Sequence, residues 1–221
     1  LTLDGRRFKE LIRAGYLWLK QNEQTINAYN VYPVPDGDTG TNMMQTMRAA
    51  WEAIASVDEA HLGNVAKAVS AGALRGSRGN SGIILSQLWR GVSRSLDGKE
   101  VCDAHDLAMA FREAARTAYA GISQPVEGTI LTVARETADA AEYFTRGSHD
   151  LRGLLDVAVR ASHESVQRTP TLLKILKEAG VIDSGGYGFY IILDGMRRAV
   201  HGESFEGLET ASRTQARVGE A

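Results

Sequence analysis

The spacing of apolar residues constrains the fold of this chain more than any other feature of the sequence. In the first segment Phe8, Ile12, Tyr16 and Leu19 recur at intervals of three and four residues. Such intervals place side chains on one face of a helix, and most of the chain repeats them. No segment alternates apolar and polar residues as a half-buried strand would. The sequence therefore predicts an all-α fold, an antiparallel up-and-down barrel or bundle of about eight helices joined by short loops.

Loops interrupt the helical spacing, and counting the segments between them gives eight or nine helices. Residues 1–201 form the predicted domain, because every periodic segment lies within this range. Residues 202–221 have no periodic apolar face, so we predict a polar linker or tail there. The predicted helical segments are Arg6–Ala28, Met43–Ser56, His61–Leu74, Ile83–Val92, Asp103–Gly121, Thr129–Ala141, Leu151–Val166, Leu172–Ala179 and Phe189–Val200.

Composition excludes several classes of function. The net charge of −2 gives no basic excess that would indicate a nucleic-acid partner. Cys102 is the only cysteine, which excludes an internal disulfide and suits a reducing compartment. The sequence shows no signal peptide and no apolar run long enough for a transmembrane segment. We therefore expect a cytoplasmic protein. Because the chain lacks an initial methionine and ends in polar residues, we also expect it to be part of a longer polypeptide.

The stretch Asn30–Met44, NVYPVPDGDTGTNMM, is the most informative interruption. Pro33 and Pro35 hold it out of a helix, because proline lacks a backbone donor and pushes the preceding residue toward extended conformation. Asp36 and Asp38 flank one glycine, and on an extended chain they face the same side about 6 to 7 Å apart. At about 4 Å, two unpartnered carboxylates repel by on the order of 1 kcal/mol in water, and by several times more where water is partly excluded. A bound cation would relieve this repulsion.

The type of cation can be tested by counting residues. In a calcium-binding EF-hand loop that starts at Asp36, Thr41 would stand at the required glycine and Met47 at the bidentate glutamate, so this loop type is excluded. Magnesium needs only one or two protein carboxylates and takes its other ligands from water and phosphate. The alternative is a solvated turn whose aspartates cap the next helix. The two prolines and a second loop of phosphate-binding type favour the magnesium site.

That second loop is Gly76–Gly82, GSRGNSG, which opens directly into an apolar helix. Closely spaced glycines let backbone amides approach an anion, and the start of a helix supplies unpaired N–H groups and a favourable dipole. The loop is not a Walker A motif, because it lacks the Gly-Lys-Ser/Thr ending. A tight turn between helices explains the loop about as well. A third such stretch, DSGGYG at Asp183–Gly188, also precedes a helix, and helix order alone leaves open whether the three helix starts converge.

Four motifs together resemble the nucleotide-binding domain of the dihydroxyacetone kinase family: NVYPVPDGDTGTNM, RGSRGNSGIIL, EGTIL and DSGGYG. They are most similar to the N-terminal kinase domain of bacterial fatty acid kinase A subunits, over nearly the whole chain to about His201. The resemblance implies an eight-helix antiparallel barrel that binds ATP or ADP at one end. It also implies Mg²⁺, two ions, held between aspartates and phosphates.

The same resemblance implies roles for individual residues. Asp36 and Asp38 match the metal-binding and catalytic aspartates, and Thr41 joins them as a catalytic residue. Asn30 is a further candidate metal ligand, at a position where dihydroxyacetone kinases carry an aspartate with a spacing one residue shorter. The residues implied in nucleotide binding are Thr39, Gly40, Asn42, Met43, Gly79, Asn80, Ser81, Gly82, Thr129, Asp183 and Gly185.

For the reaction, the resemblance implies phosphoryl transfer to a fatty acid carboxylate, giving an acyl phosphate for phospholipid synthesis. A separate fatty-acid-binding protein would present the acid. Further domains of the same polypeptide would engage this partner, and the full-length protein could form a homodimer. A fatty carboxylate, with a pKa near that of Glu at about 4.3, needs no general base, and no histidine lies in the glycine-rich loops. A dihydroxyacetone or small-polyol kinase subunit and a nucleotide-binding module without turnover remain alternatives.

Overall fold

Helices occupy most of the chain that the computed structural model describes, residues 2–205, 207 and 208. In this part the long helices have 15 to 22 residues, and two short helices have six each. The elements are β1 (Leu3–Asp4), α1 (Gly5–Gln21), α2 (Glu23–Ala28), α3 (Thr39–Ile54), α4 (Leu62–Gly76), α5 (Gly79–Ser95), β2 (Val101–Cys102), α6 (Ala104–Ala120), α7 (Ile130–Phe144), α8 (Leu151–Leu172), α9 (Lys174–Ala179) and α10 (Ser184–Val200).

The eight long helices close into a ring. Going around it, α1 packs on α3, each later long helix packs on the next, and α10 returns to pack on α1. The apolar faces predicted from the spacing point into this ring, and residues such as Ile12, Met47, Val69 and Leu154 are fully buried there. The predicted all-α class and the count of about eight helices are confirmed.

Three details differ from the prediction. The first predicted helix is divided at Asn22 into α1 and the short α2. The second difference is that α8 continues past Pro170 to Leu172. A proline normally leaves a carbonyl four residues earlier without its donor, and here the Thr169 hydroxyl donates to that carbonyl, Val166 O, at 2.7 Å. The third is a pair of two-residue antiparallel strands, β1 and β2, which are too short to show an alternating pattern.

The order of helices in the ring determines where their starts lie. Neighbouring helices in an up-and-down barrel run antiparallel, so every second helix begins at the same end of the barrel. Helices α3, α5, α7 and α10 hold the second, fourth, sixth and eighth places in the ring. The short α9 does not take a place in the ring, so α10 begins at the same end as α3, α5 and α7. All three glycine-rich stretches therefore lie at one end.

Closure of the ring requires α1 and α10 to approach closely. At Gly195 an added Cβ would lie 2.7 Å from the Ala14 carbonyl oxygen and 2.8 Å from Trp18 Cβ. Beside this contact, the buried Asp194 carboxylate accepts hydrogen bonds from Trp18 Nε1 at 3.0 Å and from Arg198 Nε at 2.8 Å. A glycine contact and a buried charged hydrogen bond thus join the first long helix to the last.

The predicted domain boundary falls at His201. Phe205 lies just beyond it and is buried against the hydrophobic core. Within the predicted tail, residue 206 and residues 209–221 lie outside the described residues. No helix in the described part of the chain is both long enough and apolar enough to span a bilayer.

The seam between α1 and α10 generates a stability prediction. We expect Gly195→Ala to lower the free energy of unfolding by about 1–3 kcal/mol, because the added methyl group forces two packed helices apart. Gly147→Ala is the matched control, since an added Cβ there meets nothing within 4 Å and its backbone φ is not positive. Urea unfolding of the three proteins measures both effects. Equal stability of the two variants would contradict a tight seam.

Candidate functional site

A cavity of about 450 Å³ opens at the end of the barrel where α3, α5, α7 and α10 begin. Its walls come from four parts of the chain: the loop before α3, the start of α5, the segment before α7 and the start of α10. The cavity thus brings together all three glycine-rich stretches and the EGTIL motif. Its volume falls in the range of about 300–1,000 Å³ that is usual for small-molecule sites.

The Asp36-Gly37-Asp38 turn forms one side of this cavity. Gly37 has a φ of 67°, in the left-handed region that favours glycine. Both aspartates line the cavity, and neither forms an ion pair with a described residue. None of the described residues that line the cavity is a lysine, arginine or histidine. Two exposed carboxylates without a cationic partner are therefore available to a divalent cation.

Two asparagines brace the loop that carries these aspartates. The Asn30 side-chain oxygen accepts from the backbone N–H groups of Asp38 at 3.1 Å and Thr39 at 3.3 Å. The Asn27 oxygen accepts from Gly40 N at 2.7 Å and Thr41 N at 3.2 Å. The first amides of α3, which a helix leaves without internal partners, are therefore satisfied by side chains.

The start of α5 is different. Arg78 precedes it without a side-chain cap, and no described side chain accepts a hydrogen bond from the amides of Gly79, Asn80 or Ser81. All three of these residues line the cavity. Unpaired amides at a helix start form a ready site for a phosphate group. In the described part of the chain, α5 is thus the one of the four helix starts without a side-chain cap, which leaves its first amides available to an anion.

Gly79 is needed at this start for two reasons. Its φ of 59° lies in the left-handed region, and an added Cβ would lie 2.5 Å from the Asn42 side-chain nitrogen. Asn42 lies on α3 and also lines the cavity. The absence of a side chain at Gly79 therefore lets the phosphate-type loop approach the helix that follows the paired aspartates.

Asp183 joins the remaining two helix starts. Its carboxylate accepts from Gly186 N at 2.7 Å, which caps α10, and also from the backbone N–H of Ile130 at the start of α7. Its own N–H donates to the Thr169 hydroxyl at 3.0 Å. Burial raises the pKa of Asp183 to about 6, although these two N–H donors act in the opposite direction. Next to it, the Ser184 hydroxyl donates to Thr39 Oγ1 at 3.2 Å and links α10 to α3.

Most of the predicted site residues line this cavity. Those that do are Asn30, Asp36, Asp38, Thr39, Asn42, Gly79, Asn80, Ser81, Thr129, Asp183 and Gly185. Gly40, Thr41, Met43 and Gly82 lie behind its wall. The Thr41 hydroxyl donates to Glu23 Oε1 at 2.6 Å and accepts from Asn27 Nδ2 at 3.1 Å, and Met43 is fully buried. The roles of all these residues remain predictions.

An apolar wall completes the cavity, and the sequence analysis missed it. Ile83 and Ile84 of α5 face the segment before α7, which contributes Ile122 and Val126, and Gln124 is a polar group among them. Ile83 is 46% exposed, which is high for isoleucine. The signal available in the sequence was an apolar pair directly after a phosphate-type loop, which looked like the start of an ordinary buried helix face.

The residues present fit magnesium better than a metal that needs a full set of protein ligands. Within the described residues, no group of three or more His, Cys, Asp or Glu side chains could hold a metal ion. Asp36 and Asp38 supply two carboxylates, and Mg²⁺ commonly takes its remaining ligands from water and phosphate oxygens. Asn30 Oδ1 already accepts two backbone N–H groups, so its predicted role as a metal ligand would add to its role as a brace.

Comparison with known sequences identifies a family. A family model described as the DAK2 domain matches residues 33–198. Protein YloV of Bacillus subtilis is 43% identical over 203 residues, which cover 92% of this chain and 37% of YloV. Protein SSP1546 of Staphylococcus saprophyticus is 45% identical over 202 residues, which cover 91% of this chain and 37% of that protein. The chain therefore spans about 37% of the length of these curated relatives.

Solved structures show the same fold. The dihydroxyacetone kinase of C. freundii in its native form superposes with a TM-score of 0.61 at 16% identity, over 86% of this chain and 34% of that one. Its complex with AMP-PNP and Mg²⁺ also gives 0.61, at 18% identity, over 86% of this chain and 33% of that one. At these identities the likeness shows the fold alone.

The raised pKa of Asp183 generates a pH prediction. A raised pKa stabilises the folded state fully below the unfolded value of 3.8, and this contribution is lost as the pH rises through about 6. An asparagine does not titrate. The free energy of unfolding of Asp183→Asn minus that of the wild type should therefore increase between pH 4 and pH 7, by at most about 3 kcal/mol. Chemical unfolding at several pH values measures this difference.

Asp150→Asn is the matched control for this prediction. Asp150 caps α8 through the amides of Arg152 and Gly153 but is exposed to solvent. We expect no comparable increase there, because an exposed cap is not desolvated. A difference for Asp183→Asn that stays constant over the pH range would contradict the raised pKa.

Proposed function

This chain belongs to the DAK2 domain family, and from that premise we propose that it is the nucleotide-binding domain of a kinase. In this proposal ATP or ADP binds with Mg²⁺ in the cavity at the glycine-rich end of the barrel. The main observation that supports this proposal is that one cavity holds two unpartnered carboxylates, Asp36 and Asp38, together with the uncapped start of α5. Carboxylates hold magnesium and helix amides hold phosphate, which are the two functions that phosphoryl transfer requires.

The chain's own residues position the nucleotide. Asp36 and Asp38 would hold Mg²⁺, which when bound neutralises phosphate charge and orients the transferring group. The amides of Gly79, Asn80 and Ser81 would donate to phosphate oxygens. The apolar side chains Ile83, Ile84, Ile122 and Val126 offer a surface for the base and exclude water from this part of the cavity.

We further propose that the acceptor is the carboxylate of a fatty acid presented by a separate protein, with an acyl phosphate as the product. Such an acceptor is ionised at neutral pH and needs no general base. Consistent with this, no histidine is among the described residues that line the cavity. The partner would bind outside this chain, which spans about 37% of its curated relatives.

Transfer to dihydroxyacetone is the alternative, because the two solved structures compared above are of a dihydroxyacetone kinase. An assay of ADP release by the full-length protein separates the possibilities. The fatty acid proposal expects turnover only with a fatty acid and its binding protein. Turnover with dihydroxyacetone alone would replace this proposal. Nucleotide binding without release of ADP under either condition would indicate a binding module.

Nucleotide binding itself can be tested on this chain. We expect ADP with Mg²⁺ to raise the melting temperature, because a ligand that binds only the folded state stabilises it. Asp38→Asn should weaken the affinity for ADP and Mg²⁺ at least tenfold, equivalent to about 1.4 kcal/mol, because one of the two proposed metal-holding carboxylates loses its charge. Adding EDTA to the wild type should remove the shift in the same way. Differential scanning fluorimetry and calorimetric titration measure these effects.

Asp97→Asn is the matched control. Like Asp36, Asp97 precedes a glycine with positive φ on an exposed turn, but it lies outside the cavity. It should keep the wild-type affinity for ADP and magnesium. An unchanged melting temperature of the wild type at saturating ADP and magnesium would count decisively against the nucleotide site.

A further inference from the structure

The connection between α6 and α7, residues 121–129, forms one wall of the cavity although it has no regular secondary structure. Ile122, Gln124 and Val126 on this segment line the cavity. A segment outside helices and strands has few backbone hydrogen bonds of its own to fix its position. Its position must therefore depend on side chains that tie it to the two helices.

Glu127 makes that tie. Its Oε1 accepts from the Tyr119 hydroxyl of α6 at 2.9 Å, and its Oε2 accepts from Thr132 Oγ1 at 2.6 Å and Arg135 Nη2 at 2.9 Å, both on α7. Arg135 Nε also donates to the Tyr119 hydroxyl at 3.3 Å. One carboxylate thus joins the end of α6, the first turns of α7 and the segment between them.

Thr132 carries this tie into the backbone of the wall. Its side chain is fully buried, and its hydroxyl accepts from Gly128 N at 2.8 Å while it donates to Glu127. Next along the chain, the Thr129 hydroxyl donates to the Val126 carbonyl at 2.7 Å. Hydrogen bonds thus hold the Val126 carbonyl and the Gly128 N–H, one on each side of Glu127. They fix the direction in which Val126 faces the cavity.

The electrostatics of this cluster favour a charged Glu127. Partial burial alone would raise its pKa, but hydrogen bonds from Thr132, Tyr119 and Arg135 outweigh burial and lower the pKa below its ordinary value. The same contacts raise the pKa of Arg135. At neutral pH the cluster is thus an ionised pair with a hydroxyl on each side. None of its four side chains lines the cavity, so they would act on a ligand only through the segment they hold.

We propose that Glu127 is a positioning residue for the nucleotide: together with Thr132 it holds residues 122–126 as a preformed wall of the cavity. The inference rests on the proposed nucleotide site and adds a determinant of affinity that makes no contact with the ligand. A preformed wall lowers the ordering cost of binding. Without the tie, the segment would have to become ordered each time a nucleotide binds.

The test uses the 221-residue chain with ADP and magnesium as the probe. Glu127→Ala removes the tie, and Thr132→Val removes both hydrogen bonds of the hydroxyl while it keeps the buried volume. Each should weaken the calorimetric affinity by about tenfold. Glu127→Gln keeps an acceptor oxygen and should recover part of the loss. Hydrogen exchange should accelerate at the hydrogen-bonded amides of the segment, Ile122 N–H and Gly128 N–H, in the two stronger variants, and to a smaller extent in Glu127→Gln.

Glu142→Gln is the matched control. Glu142 pairs with Arg112 at 2.6 Å and also joins α7 to α6, but at the far end of α7 and without a cavity segment attached. It should lose comparable stability while keeping the wild-type affinity and the wild-type exchange at the Ile122 and Gly128 amides. This separates positioning of the wall from general stability of the helix pair.

Two outcomes overturn the inference in different ways. If the wild type binds the nucleotide and both Glu127→Ala and Thr132→Val bind within twofold of it, Glu127 has no positioning role and the nucleotide site stands. If the wild type does not bind ADP and magnesium, the proposed function fails and this inference fails with it. Should Glu127→Ala not fold, Thr132→Val and Glu127→Gln decide the question by the same criteria.

Discussion

The site depends on closure of the barrel by an even number of long helices. Alternating directions around the ring bring the starts of α3, α5, α7 and α10 to one end, and each start carries roughly half a positive charge from its helix dipole. The close contact of Gly195 with Ala14 and Trp18 holds this arrangement, because it joins α10 back to α1. Had α9 spanned the barrel, α10 would begin at the opposite end and the DSGGYG stretch would lie away from the cavity.

The four helix starts are not equivalent, and their differences define the site. Side chains cap three of them: Asn27 and Asn30 at α3, Thr129 and Asp183 at α7, and Asp183, through the Gly186 amide, at α10. Only α5 begins without such caps in the described part of the chain. The capped starts therefore hold the walls in place, while the uncapped start keeps its hydrogen-bonding capacity for a ligand. The same motifs thus carry two kinds of residue, one that braces the site and one that faces it.

This division explains how far the sequence could predict the structure. Helical spacing predicts the all-α class, and the proline–glycine loops indicate which stretches form the site. The family resemblance does not distinguish residues that brace a loop from those that line a cavity. It therefore implies site roles for Gly40, Thr41, Met43 and Gly82 as well, although these lie behind the wall. The end of α8 depends on a local bond from Thr169, and the apolar wall depends on a long-range approach of α5 to residues 122–126. Neither has a periodic signal.

The charges of the cavity limit how a polyphosphate could be held there. Its described lining contains carboxylates but no lysine, arginine or histidine, so the protein itself supplies net negative charge around a ligand that is also negative. One open helix start offers about half a charge, which is too little to offset several phosphate charges and two aspartates. A divalent cation between the acids and the phosphates converts this repulsion into attraction. In the proposed function, the paired aspartates would therefore favour nucleotide binding only with metal present, and they would oppose it otherwise.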